Sequence, residues 1–322
     1  MNNYNIKLKI GSDIFQKNFS FMAPSLNKQA DHKQDDNDIS LESLVLDYNI
    51  RYYSHRNATF VIEMDNIKLE LIDTIADWLI TAIDNCLFQY INVEFDVSQT
   101  ESKEYVKNMI AKLQNKHIAN SICFQVNAYI NKDEEKEAYE FNNIKTIYHY
   151  LGIKNDDSRT GYSYLPLEDI AREEIDVNTI DMNNTIITTD YPREVENELL
   201  NEVVYNRMNN AHIREIVRKI HRGSLFCRAA LPFYFVISPN GTVRKCKHYE
   251  NGDTIIGYIA DGTIVIDNTK YSKWVFLSID EKCRSCYLFP ACMGMACPRL
   301  NIINEHNNCP KEKQLIDSML EE

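Results

Sequence analysis

The sequence predicts an α/β fold that passes into a small cysteine-rich region with β-hairpins. Three observations predict it. Strand-like and helix-like patterns alternate from residue 58 to residue 152; two turn-punctuated strand pairs follow Gly223; and seven of the nine cysteines fall between Cys227 and Cys309. Strands that alternate with amphipathic stretches argue for βαβ units and a parallel sheet. At 322 residues the chain exceeds the about 250 that a single hydrophobic core usually supports, so about two domains are expected.

Residues 25–41 (SLNKQADHKQDDNDISL) are polar and aperiodic and read as a loop or linker, which makes 1–57 an N-terminal segment. TFVIEM at 59–64 is β-branched and aromatic and reads as a buried strand. From Ile67 to Cys86 the residues Leu71, Ile72, Ile75, Trp78, Leu79, Ala82 and Ile83 recur at helical spacing. YINVEF at 90–95 is a second strand. Glu101 to Lys116 is a helix with Tyr105, Met109, Ile110 and Leu113 on one face, and SICFQVNAYI at 121–130 is a third strand. A helix is expected from Asp133 to Leu151, terminated by Gly152. Residues 58–190 thus form an α/β region. Asp190 and Pro192 open a long helix to about His221, the first element of a C-terminal unit spanning 191–322. FYFVI-SPNG-TVRKC (233–246) and IIGYI-ADG-TIVI (255–266) read as two hairpins.

A hydrophobic fraction of 44% with 25% charged residues is that of an ordinary globular chain. The net charge of −12 and pI near 5.2 argue against a nucleic-acid-backbone binder. Apolar runs fall short of the about 20 residues that span a bilayer, and Met1 to Gly11 lacks the apolar block of a signal peptide. The expected compartment is the cytoplasm, with no membrane partner. Thiols stay reduced there, so clustered cysteines, odd in number, point to metal ligation ahead of disulfides.

The spacing is specific. Cys227 is followed by Gly241-x4-Cys246, then by Cys283-Arg-Ser-Cys286, Cys292, Cys297 and Cys309. A CxxC turn aims two thiolates at one centre, and cysteines from neighbouring loops complete the site. This pattern, with ISPNGTVRKC as a hairpin and CRSCYLFPACMGMACP as a ligand run, resembles the SPASM domain, the C-terminal auxiliary-cluster module of radical SAM peptide maturases. The resemblance implies two auxiliary [4Fe–4S] clusters. Cys283, Cys286, Cys292 and Cys309 would hold one; Cys227, Cys246 and Cys297 would hold the other. It departs from the family in having four residues between Cys292 and Cys297 where three are usual. The second set also shows three thiolates, with His221 standing near the place where some members supply a further cysteine; His221 is therefore either a fourth ligand or a helix-end residue facing the dipole. Arg244, Lys245, Lys247, Lys282, Arg284 and Arg299 lie close to these cysteines, either to offset a cluster's negative charge or as ordinary surface charge.

Upstream, the 58–152 series resembles the later part of a radical SAM partial (βα) barrel, giving an incomplete barrel-like region before the SPASM-type domain. Such enzymes need Cys-x3-Cys-x2-Cys and a Gly-Gly-Glu segment to bind S-adenosylmethionine. Outside the C-terminal group this chain has Cys86 and Cys123, read as buried small apolar residues, and it has no Gly-Gly pair. S-adenosylmethionine cleavage by this chain alone is not expected. The chain is either part of a truncated or split maturase or a degenerate homologue. The resemblance makes it an iron–sulfur protein of peptide maturation, with a precursor peptide and a radical SAM subunit as partners. Two other functions stay open. One is a structural zinc module for protein interaction, with His248 and His306 as mixed ligands. The other is a hydrolase or transferase using Glu63, Glu94 and Asp96 at strand ends, which otherwise read as solvated or salt-bridged carboxylates.

Overall fold

The structure, a computed structural model, describes residues 38–45, 57–114, 121–130, 141, 144–151, 161–166, 185–188, 225–249, 252–304, 307–310, 313 and 316–317. Among these, eleven strands form one mixed sheet in the order β1-β11-β10-β9-β8-β2-β3-β4-β5-β6-β7. Strands β2 (Asn57–Glu63), β3 (Tyr90–Val97), β4 (Ile122–Ile130), β5 (Lys145–Leu151), β6 (Gly161–Pro166) and β7 (Thr185–Thr188) run parallel and in sequence order. Strand β8 (Tyr234–Ile237) joins β2, also in parallel. Beyond it the sheet turns antiparallel through β9 (Thr242–Arg244), β10 (Ile255–Ala260), β11 (Thr263–Asp267) and β1 (Asp38–Ser40). Strands β1 and β7 are the edges, and the described strands do not close into a barrel.

Alternation along the strands separates two faces. Ala58, Phe60 and Ile62 of β2, Ile91, Val93, Phe95 and Val97 of β3, and Ile122, Val126 and Ala128 of β4 enter the main core. Helix α1 (Leu69–Asp84) covers them with Ile72, Ile75, Ala76, Trp78, Leu79 and Ala82, and α2 (Ser102–Gln114) with Val106, Met109, Ile110 and Leu113. Both stripes lie where the spacing expects them. Phe60 is the centre of an aromatic group, 5.6 Å from Trp78 and 5.4 Å from Phe235. The same core continues through Phe233, Phe235, Val243, Ile264, Ile266 and Trp274. Both expected hairpins are present, as β8–β9 and β10–β11. The Asp65 carboxylate shapes the loop into α2, accepting from the Ser98 and Gln99 amides at 2.8 and 3.1 Å and from the Ser102 hydroxyl at 2.8 Å.

Three expectations need correction. Residues 145–151, expected as the end of a helix, form β5; Thr146, Ile147, Tyr148 and Tyr150 are β-formers, and the register Val126↔Thr146 to Ile130↔Tyr150 pairs them with β4. The tail of the polar 25–41 stretch is ordered, because Leu41, Leu44 and Val45 bury in the main core and bring Asp38–Ser40 onto β11. Cys86 and Cys123 are exposed. Cys86 follows α1 with φ 54°, and Cys123 alternates with Ile122 and points away from the helices. The helix expected from residue 191, the boundary near 190, and His221 and His306 lie outside the described residues. Among those described, no helix is long and apolar enough to cross a membrane.

Candidate metal centre

The β8–β9 hairpin brings Cys227 and Cys246 to one end. Cys227 precedes the short 3-10 turn Arg228–Ala230 that feeds β8, and Cys246 follows β9 by one residue beyond Lys245. Between the strands, Gly241 takes φ +84°, and Asn240 Oδ1 accepts the Thr242 amide at 3.0 Å. Cys297 immediately precedes helix α6 (Pro298–Asn304). Burial pushes the Cys227 thiol up to about 11, and repulsion by Cys246 and Cys297 adds to it, while the Ala229 N–H donates to its sulfur and opposes the shift. Cys246 is raised by burial and by Cys297; the His248 and Tyr249 amides and the Arg299 cation oppose. These three thiols are one electrostatic group.

Cys283, Cys286, Cys292 and Cys309 form the second such group. Helix α3 (Asn268–Val275) leads into a segment with two single-turn helices, α4 (Glu281–Arg284), which carries Cys283, and α5 (Phe289–Cys292), which ends on Cys292, with Cys286 in the turn between them. The Cys286 amide donates to the Cys283 carbonyl at 3.1 Å, closing the CxxC turn. Cys283 is raised by burial, then by Asp280, Cys309 and Cys286. Cys292 is pushed up to about 11 by burial and by Cys286, Cys283 and Cys309, against the Gly294 N–H that donates to its sulfur.

Two buried asparagines bring Cys309 back to this group. Asn307 Oδ1 accepts the Asp280 amide at 2.5 Å, and its Nδ2 donates to the Ser278 carbonyl at 2.9 Å. Asn301 Nδ2 donates to the Gly294 carbonyl at 2.7 Å, and its Oδ1 accepts the Asn308 amide at 2.8 Å. Sequence reasoning missed both. Apart from the nearness of Asn307 to Cys309, nothing distinguishes them from solvent-facing loop residues.

The four-residue spacer between Cys292 and Cys297 explains itself here. Met293 and Gly294 are both left-handed, with φ 52° and 70°. A Cβ on Gly294 would stand 3.2 Å from Ile279 Cδ1. This kink turns Met295 inward so that its amide donates to the Cys292 carbonyl at 2.8 Å, while its own carbonyl accepts the Cys227 amide at 2.9 Å.

The cations near the cysteines are engaged by specific partners. Arg244 is buried and pairs with Glu63, and it also donates to Ser238 Oγ at 2.9 Å and the Tyr249 carbonyl at 3.1 Å. Lys247 meets Asp96 at 2.7 Å and lies 5.2 Å from the centre of the Tyr129 ring. Arg228, which the sequence reading passed over, grips Glu94 through two bonds of 2.6 and 3.1 Å. Arg299 pairs with Asp253 at 2.7 Å, and the more exposed Lys282 and Arg284 pair with Asp280 and Glu281, each at 3.8 Å. Lys245 is fully buried, donates to the Leu231 and Pro232 carbonyls at 2.5 and 3.2 Å, and is pushed down to about 7 by burial.

Glu63, Glu94 and Asp96 are therefore salt-bridged, and Glu94 and Asp96 are buried, not solvated. Register places Glu63 beside Asp96 and Asp96 beside Asn127 on the face away from the helices. Burial raises Glu63 and Asp96 above the usual carboxylate range, with Arg244 and Lys247 opposing. His149, on the same face, stacks on Tyr129 at 4.6 Å.

No disulfide joins any of the nine cysteines. Among the described residues no three Cys, His, Asp or Glu side chains are drawn together tightly enough to hold a single metal ion; the thiols are grouped without converging on one point. Chemically the sets still fit an iron–sulfur centre. They offer four and three thiols, with backbone amides donating to the sulfurs of Cys227, Cys246 and Cys292, the donor type and amide environment such clusters take. Comparisons with protein-family models, curated proteins and solved structures find no match to this chain.

Proposed function

We propose that this chain is an iron–sulfur protein of the SPASM type that acts in the maturation of ribosomally made peptides, as a partner subunit or degenerate relative of a radical SAM maturase. One observation carries the reading. The chain path groups the cysteines in the two sets that the resemblance implies: Cys283, Cys286 and Cys292 on successive turns with Cys309 returned by the Asn307 bonds, and Cys227 and Cys246 flanking the β8–β9 hairpin with Cys297 two residues beyond the Met295 carbonyl that accepts the Cys227 amide. Clusters bound there would supply one-electron transfer. The chain's own residues would hold the thiolates, direct amides at the sulfurs and shield them with apolar side chains such as Met295 and Leu288. This sequence has neither a Cys-x3-Cys-x2-Cys run nor a Gly-Gly pair. That supports leaving S-adenosylmethionine cleavage to a radical SAM partner, with the precursor peptide as shared substrate.

The test is anaerobic purification with iron, sulfide and zinc quantified and the visible spectrum recorded before and after dithionite. About eight irons per chain are expected for two four-iron clusters, falling to about four in the Cys283→Ser/Cys286→Ser double variant. A double variant that keeps full iron overturns the assignment. A second reading, a zinc-clamped interaction module, is favoured by the four-thiol set with its CxxC turn, a donor complement that zinc also takes. Colourless wild-type protein with about one or two zinc ions per chain decides for it.

A further inference from the structure

Three carboxylates of β2 and β3, on the sheet face away from the helices, share a regularity. Glu63, Glu94 and Asp96 each bond a cation that lies within two residues of a cysteine of the three-thiol set: Arg244 and Lys247 flank Cys246, and Arg228 follows Cys227. These contacts join β2 and β3 to a segment well over a hundred residues away. The three-thiol set is therefore tied to the sheet face that α1 and α2 leave uncovered, with Cys227 and Cys246 beside the amino end of β8.

We propose that Glu94 and Asp96 are positioning residues for the three-thiol centre, acting through Arg228 and Lys247. This rests on the iron–sulfur reading above. The geometry carries it. Glu94 is buried, is further held by Asn92 Nδ2 at 2.7 Å, and takes Arg228 through both guanidinium nitrogens. A bidentate pair fixes direction as well as distance, so the backbone at Cys227 is oriented from β3. Asp96 is held by Asn127 at 2.7 Å and fixes Lys247, the residue after Cys246. Arg244 adds a tie to the Tyr249 carbonyl, and the amides of His248 and Tyr249 donate to the Cys246 sulfur. Without its carboxylate the half-exposed Arg228, or Lys247, is free to turn to solvent, so each carboxylate governs where a ligand's backbone lies without touching the metal.

The experiment uses the full chain, purified anaerobically, with iron content, the EPR spectrum of the reduced protein and the reduction potentials as readouts. Glu94→Gln and Asp96→Asn are expected to lower iron from about eight to about four per chain on the two-cluster stoichiometry, with the EPR signal of the four-thiol centre retained. Asp73→Asn, which removes a surface pair with Lys112 at 3.0 Å, is the control and keeps its iron. Exchange of charges in Glu94→Arg/Arg228→Glu is expected to restore the second signal. If a carboxylate variant does not fold, Arg228→Gln and Lys247→Gln break the same pairs from the other side. Full iron with both potentials unchanged overturns this inference and leaves the iron–sulfur reading intact. Wild-type protein without iron overturns both.

Discussion

The two thiol sets are held by different means. The three-thiol set leans on the large sheet through charges, with Arg228, Arg244 and Lys247 reaching Glu94, Glu63 and Asp96. The four-thiol set is held locally, by single-turn helices, by the Asn301 and Asn307 bonds, and by two small apolar clusters around Met295, Leu277 and Ile279 and around Leu288 and Ala291. The difference teaches where each depends on the rest of the chain. A short segment with little core of its own can shape four thiols by saturating its backbone with hydrogen bonds. Thiols far apart in sequence need a rigid body to bring them together, and here the sheet is that body.

The contrast can be broken or sharpened by experiment. The largest effect is expected from Phe60→Ala, since Phe60 is fully buried amid Trp78, Phe88 and Phe235. It should cost about 3–5 kcal/mol and, on the iron–sulfur reading proposed above, release iron from the three-thiol set at lower urea than from the four-thiol set. Circular dichroism and visible absorbance along one urea titration check this; simultaneous release would erase the distinction. Asn307→Ala acts on the other side. It strips partners from Asp280 and Ser278, should cost about 2–3 kcal/mol, and should empty the four-thiol set alone, read from iron content and the melting temperature.

Acid probes the sheet side. Burial pushes His149 down from 6.5 to about 3, and the Lys247 and His248 charges add to it. The unfolded chain takes up this proton below pH 6.5 and the folded chain does not until about pH 3, so stability falls as pH drops through that window. At pH 5 the loss should be about 2 kcal/mol relative to pH 7. His149→Phe should remove that part of the slope in urea denaturation at the two pH values. The smallest effect is expected from Gly294→Ala, where a Cβ at φ +70° should cost about 1–2 kcal/mol. Because the kink serves both sets, iron should fall from both in equal measure.

The sequence made much of this legible where a local period or a spacing carries the information. The strands and helices through Ile130 follow from alternation and from stripes such as Ile72–Ile75–Leu79, and both hairpins follow from their turns. Strand β5 was not legible as such because the charged stretch after Asp133 masks the Thr146–Tyr150 run. The position of β8 beside β2 joins residues far apart in the chain, which no local pattern encodes. The same holds for the candidate site. Cysteine spacing points to the ligand groups, whereas Arg228, Asn301 and Asn307 acquire their roles from partners that only the folded chain brings near. Cys86 and Cys123 illustrate the opposite error: composition suggested burial, but a left-handed helix end and the phase of β4 turn them outward.

Met295 stands between the two sets. Its peptide groups link the Cys292 carbonyl to the Cys227 amide through two hydrogen bonds of 2.8 and 2.9 Å. The main chain at Cys292 and the main chain at Cys227 are thus held to one another without any side chain between them. The spacing between the two sets is then a property of the backbone, which a side-chain replacement at Met295 would leave in place.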